Sequence, residues 1–165
     1  MINDNNFGGW SINRVVFNWI LENIPENSII LELGSGMATL ELCKFYNVFS
    51  VEHNKKWLNK CSSNYIYAPL IEYNDEHGKY RWYDINILKE QLPTKYDLVI
   101  VDGPPGATRT PILYNIELFY HPIPYIIDDT NRLNDQYICD QLKIILGKNE
   151  IWKYSVGKKE TTIIN

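Results

Sequence analysis

Short β-branched runs that alternate with amphipathic helical segments constrain this chain more than any other feature. IILEL (29–33), VFSVE (48–52), YIYAPL (65–70), DLVIVD (97–102) and PYIIDD (124–129) each read as a strand. Helical periodicity is expected between them, at about 37–45, 54–61, 85–92 and 110–120, and again at 133–146. A first helix at 12–23 carries Ile12, Val15, Val16, Trp19 and Ile20 on one stripe, with Ser11 as its N-cap. Strands separated by helices must run parallel and be covered on both faces, which is an α/β architecture. Two segments depart from the rhythm. Residues 72–84, EYNDEHGKYRWYD, are polar and aromatic around Gly78 and read as an inserted hairpin or loop. The last strands, about 150–156 and 160–165, turn at Gly157-Lys158 and form an antiparallel hairpin.

The 165 residues suit one domain, 1–165, with a short N-terminal segment at 1–10. With 45% hydrophobic and 22% charged residues, the chain has the make-up of a globular protein, which excludes a disordered or collagen-like one. No uncharged apolar run approaches the ~18–20 residues of a membrane span. The opening MINDNNFGGW lacks an apolar signal-peptide core, so a cytoplasmic address is expected. A net charge of -4 disfavours nucleic acid as a partner. Cys43, Cys61 and Cys139 are odd in number and far apart in sequence, which fits neither a disulfide framework nor a zinc site.

Ligands of parallel α/β sheets collect beyond the carboxyl ends of the strands, where strand order reverses. The first such end is LELGSG (31–36), in which Gly34 and Gly36 allow a tight turn and a close backbone approach. As a dinucleotide fingerprint it is incomplete, because Thr39 stands at the third glycine position. Glu32 would repel a pyrophosphate and suit a cationic ligand instead. The second strand ends in the carboxylate of Glu52, close enough in sequence for one helix and one strand to return the chain beside the glycine loop.

ExGxG after the first strand, with an acid closing the second, resembles the class I S-adenosylmethionine-dependent methyltransferases over about residues 10–165. The resemblance implies a Rossmann-like, seven-stranded, mostly parallel sheet with a C-terminal antiparallel hairpin and helices on both faces. It implies S-adenosylmethionine as cofactor. Glu32, Gly34, Ser35 and Gly36 would hold its amino-acid end and Glu52 its ribose, with His53 lining the site. Trp10 and Ser11, from a glycine-containing segment expected to fold over the pocket, complete the expected cofactor contacts.

The resemblance makes Asp102, at the end of the fourth strand, the leading catalytic residue. The following GPPG is similar to the acid-Pro-Pro-aromatic motif of amino methyltransferases, but Gly103 separates the acid from the prolines and Gly106 replaces the aromatic. In IIDDTNR (126–132), adjacent carboxylates must face a cation or bind a proton. Asp102, Asp128 and Asp129 resemble the ligands of magnesium-dependent O-methyltransferases, and Mg²⁺ would suit an all-oxygen set. The other reading makes Asp128 or Asp129 a helix cap. Asp128 and His77, the latter from the 72–84 insertion, are the further catalytic candidates. Arg109 and Arg132 could bind an anionic substrate group or lie in solvent.

The expectation is O-methylation of a small polar acceptor, such as a sugar or metabolite hydroxyl. Its rivals are an N-methyltransferase acting on nucleic acid or protein, a nicotinamide-dependent oxidoreductase, and a non-catalytic partner subunit. Oligomeric state stays open, a dimer included.

Overall fold

A strand that is apolar at every position must be covered on both faces, because successive side chains point to opposite sides of the sheet. The computed structural model, which describes residues 12–119, 122–148 and 151–165, meets that requirement with two helical layers. In chain order, α1 (Arg14–Asn23) leads to β1 (Ile29–Leu33), α2 (Met37–Leu42), β2 (Asn47–Glu52) and β3 (Asn64–Tyr67). The hairpin β4 (Leu70–Asp75) and β5 (Gly78–Tyr83) precedes α3 (Ile85–Gln91) and β6 (Leu98–Val101). β7 (Tyr125–Ile127), α4 (Leu133–Leu146), β8 (Ile151–Val156) and β9 (Lys159–Ile164) complete it.

The main sheet has seven strands in the order β3-β2-β1-β6-β7-β9-β8. β3, β2, β1, β6 and β7 are mutually parallel, whereas β9 runs antiparallel to both β7 and β8. Ile30, Val48, Leu98, Ile100, Ile126 and Ile163 face α1 and α2 in one core layer. Their neighbours Leu31, Val99, Val101, Tyr125 and Ile127 face Leu88 of α3, the hairpin ring Trp82 and Ile138 of α4 in the other. Among the described residues, no helix is long and apolar enough to cross a membrane.

Several local expectations are corrected. The N-cap of α1 is Asn13, whose Oδ1 accepts the Val16 amide at 2.9 Å. Ser11, Trp10 and the rest of the 1–10 segment lie outside the described residues, as does His121. The expected strand at 65–70 ends at Tyr67, and Leu70 begins β4 in a separate two-stranded sheet. Pro69 has no amide proton to extend a ladder. The expected helix at 54–61 shrinks to a 3-10 turn, Lys55–Trp57: the Asn54 side chain caps its start by accepting the Lys56 amide, and the chain leaves helical geometry at Leu58 (ψ 151°) and Asn59 (φ +57°). The helix expected at 110–120 is also 3-10, Thr110–Leu118. Asn115 is non-helical there and its side-chain amide donates to the Pro111 carbonyl.

The two central loops meet at the point where the crossovers diverge. The Leu33 carbonyl, at the end of β1, accepts the amides of Asp102 and Gly103, which extend β6. Gly34 adopts φ +89°, a conformation open to glycine, and packs its backbone on that of Gly103. A Cβ on Gly103 would lie 2.7 Å from the Gly34 Cα and 2.9 Å from the Tyr83 hydroxyl. Gly103→Ala is therefore expected to cost about 1–3 kcal/mol, the usual scale of overpacking. Urea denaturation checks it: a midpoint equal to that of the parent chain would show that the loops can part freely.

Candidate functional site

The carboxyl ends of β1, β2, β6 and β7 enclose a cleft of about 520 Å³. Its first half is built on Glu52, the last residue of β2, which is 3% exposed. One carboxylate oxygen accepts the Ser35 amide at 2.9 Å and the Ser35 hydroxyl at 3.2 Å. The other accepts the Asn54 amide at 2.6 Å and lies 3.0 Å from Nδ1 of His53. Glu52 thus ties the glycine loop to the turn after β2. Gly34, Ser35, Gly36 and His53 line the cleft beside it, as do Asn54 and Trp57.

Glu32 has a different place from the one expected. It shares the strand face of Ile30, which looks toward α2, and it is not among the residues that line the cleft. Its carboxylate accepts the Thr39 hydroxyl at 2.8 Å and the Ser50 hydroxyl at 2.9 Å; Ser50 is its cross-strand partner in β2. Thr39 in turn accepts the Gly36 amide at 2.8 Å. The residue standing where a dinucleotide loop would have its third glycine is therefore the link between the loop and a buried acid. Burial raises the Glu32 carboxyl to about 7, against the lowering effect of its two hydroxyl donors.

The second half of the site is organised by Arg109, which is 3% exposed. Its guanidinium lies 3.0 Å from Asp135 Oδ1 and 3.3 Å from carboxylate oxygens of both Asp102 and Asp129. It also donates to the backbone carbonyls of Asp102, Pro104 and Asp128. Asp128 is wholly buried: one oxygen accepts the Thr161 hydroxyl at 2.6 Å and the other lies 2.5 Å from the Lys159 ammonium. Asp129 at φ +60° turns the chain so that its carboxylate meets Arg132 at 2.9 Å as well. Asp102 keeps partial exposure and faces the cleft. Burial, then the adjacent Asp128 carboxylate, holds the Asp102 carboxyl well above the usual carboxylate range.

No protein-family model and no curated protein matches the sequence. Solved structures do match. The precorrin-6y C5,15-methyltransferase of Geobacter metallireducens superposes with a TM-score of 0.64 at 13% identity, over 99% of this chain and 96% of that one. The precorrin 8w decarboxylase of Methanobacterium thermoautotrophicum gives 0.63 at 15% identity, over 93% and 90%. An O-methyltransferase of Bacillus cereus, solved in complex with S-adenosylhomocysteine (SAH), gives 0.57 at 14% identity, over 96% and 84%. The chain has the class I methyltransferase fold.

Within that fold the sequence candidates separate. The cleft gathers Gly34, Ser35, Gly36, Glu52, His53, Asp102 and Asp129. His77 does not reach it: the ring lies in the β4–β5 turn and stacks on Tyr114 with centroids 4.1 Å apart. Asn54, Trp57 and Lys159 escaped the sequence reading, and Arg109, expected as an anion binder or in solvent, instead holds the acids together. Asn59, in the left-handed region at φ +57°, marks the turn that ends the helix just after Trp57. The surplus of acids at the β6 and β7 ends was itself a demand for an internal cation.

That cation also decides the metal question. Ligand atoms of Asp102, Asp128 and Asp129 lie within 4.8 Å of one another, a spacing that could hold an ion. However, the guanidinium of Arg109 sits between two of these carboxylates and Lys159 occupies the third. A divalent cation would have to displace both side chains, so the residues do not fit Mg²⁺. The capping alternative does not hold, since the helix that follows has Arg132 at its N-cap position and no side-chain cap. Thermal midpoints measured with millimolar Mg²⁺ and with EDTA are expected to coincide; a rise with Mg²⁺ would show that the acids release their arginine.

The raised Glu32 pKa has a definite sign. The folded chain keeps a proton that the unfolded chain has lost, so this stabilising contribution is complete below about 4.5 and disappears as pH rises through about 7. Glu32→Gln retains an acceptor for Thr39 and Ser50 without the charge. It is expected to be more stable than the parent by about 1–3 kcal/mol at pH near 8, and by little at pH near 4. Denaturation curves at the two pH values check this, and an equal difference at both would remove Glu32 as the titrating group.

Proposed function

We propose that this chain is an S-adenosylmethionine-dependent methyltransferase acting on a hydroxyl of a small polar acceptor, in the cytoplasm. The observation that carries the reading is the cleft itself. It lies at the reversal of strand order in a methyltransferase fold, between a glycine loop and a carboxylate that closes β2. The Bacillus cereus O-methyltransferase, solved with SAH, supports both the cofactor and the oxygen acceptor.

The cofactor supplies an electrophilic methyl group on a sulfonium. The chain's residues then divide the remaining work. Glu52 has lone pairs beyond those used by Ser35 and Asn54, and these would accept the ribose hydroxyls. Trp57 and His53 offer flat faces for the adenine. Gly34 and Gly103, whose backbones are in contact, would form a side-chain-free floor beneath the sulfur end. Glu32 acts from beneath, holding the loop through Thr39.

On the acceptor side, Asp102 faces the cleft with a carboxyl whose pKa lies above the usual range, which makes its ionised form a stronger proton acceptor. It would take the proton of an acceptor hydroxyl bound at this end of the cleft. Asp128, buried behind Lys159 and Thr161, is a support for this end and not a catalytic residue. Arg132 and Lys159 line the same end and favour an acceptor rich in oxygen, such as a carbohydrate. The net charge of -4 disfavours nucleic acid as the acceptor.

Glu52→Ala is expected to weaken SAH binding by about 1–3 kcal/mol in calorimetry, the scale of lost charge-assisted hydrogen bonds. Unchanged affinity would take Glu52 out of the site. Asp102→Asn is expected to bind SAH as the parent does and to lose about 100-fold or more in SAH release with a panel of hydroxylated sugars and metabolites. Turnover that survives this substitution would make Asp102 structural.

A further inference from the structure

The fold brings together two cysteines that the sequence keeps apart. Cys43 is the C-cap of α2, and Cys61 follows the 3-10 turn that carries Trp57. Their sulfurs are 3.4 Å apart, and the Tyr65 hydroxyl lies 3.4 Å from Cys61 Sγ. Both cysteines are half-buried and thus within reach of small oxidants, whereas Cys139 is buried in the opposite core layer. Between them the chain runs through β2, Glu52, His53, Asn54 and Trp57, the whole β2 side of the cleft.

We propose that Cys43 and Cys61 form an oxidisable dithiol pair whose disulfide closes residues 43–61 into a covalent loop and clamps the β2 wall of the cleft. The oxidant is a peroxide. The Cys61 thiolate attacks one peroxide oxygen; an S–O bond forms, the O–O bond breaks, and the departing hydroxide takes a proton to become water. Cys43, as its thiolate, then attacks the Cys61 sulfur of this sulfenic acid. The S–S bond forms, the S–O bond breaks, and the hydroxide released takes up the Cys43 proton as a second water. Two thiols are oxidised and one peroxide is reduced to two waters.

The order of attack follows from the surroundings. Burial, followed by the neighbouring Cys61, pushes the Cys43 thiol up to about 12, which disfavours Cys43 as the first nucleophile. A disulfide needs its sulfurs at about 2.05 Å. Closing the gap draws the segment after Trp57 toward the end of α2. Because the Trp57 carbonyl already accepts the Ser35 hydroxyl at 3.3 Å, the glycine loop and the turn after β2 become parts of one cross-linked unit.

The test needs no substrate. The intact chain is treated with hydrogen peroxide, denatured, alkylated with iodoacetamide and mapped by mass spectrometry. Expected are a mass loss of two hydrogens, a single cross-linked peptide joining Cys43 to Cys61, alkylation of Cys139 throughout, and full reversal by dithiothreitol. Amide exchange in residues 53–60 slows in the oxidised form. Cys43→Ser should stop at a dimedone-reactive sulfenic acid on Cys61, and Cys61→Ser should leave Cys43 reduced; circular dichroism verifies that both fold. Three alkylated cysteines, over-oxidation of Cys61 without a cross-link, an intermolecular disulfide, or unchanged amide exchange would each overturn the proposal. None of these readouts depends on the methyltransferase reading.

Discussion

The structure turns on the close passage of two backbones, at Gly34 and Gly103. β1 and β6 are neighbours in the sheet, but the crossovers that follow them lead in opposite directions, to β2 and to β7. A crevice opens where the connections diverge. Its floor is set by how closely the two loops approach, and only two residues without Cβ atoms allow the contact observed. Leu33 adds the hydrogen bonds that hold Asp102 and Gly103 in place. The carboxylates that follow from β2 and β6, Glu52 and Asp102, therefore line one cleft whose floor is main chain and not mobile side chains.

Around that floor the acids fall into two environments. Glu52 answers to backbone amides and a ring, so it stays available at the cleft edge. Asp102, Asp129 and Asp135 share one arginine, and Asp128 has its own lysine. Four carboxylates at the end of a buried sheet would repel one another strongly if their only neighbour were water-excluding protein. The chain meets that problem with internal cations carried on the loop after β6 and on β9. A metal site and an arginine-centred network can thus arise from the same spacing of aspartates, and the residues that follow them in space make the difference.

Much of the fold could be read from residue patterns. The five parallel strands, the 72–84 hairpin and the C-terminal hairpin are announced by β-branched runs and by turns at Gly78 and Gly157. Glu52 and the glycine loop were legible because strand ends and glycines mark themselves. The failures have a common cause. Asn13 displaced Ser11 as a cap, a turn at Asn59 cut short a helix, and Pro69 split a strand, each a local polar or ring effect that hydrophobic periodicity does not register. His77 had the right chemistry and the wrong neighbours, since its ring is engaged by Tyr114.

By itself the sequence determined the alternation of strand and helix, hence a parallel sheet covered on both faces, and it determined which residues stand at strand ends. Those properties follow from the two-residue and helical periods of the backbone and need no knowledge of distant contacts. Tertiary structure alone decided that Glu32 supports the loop from below, that Arg109 fills the place expected for a metal, and that Cys43 meets Cys61. Each of these depends on where the faces of different elements come to rest against one another. A side chain's partners across the fold are set by packing, and packing is not written in the spacing of any one segment.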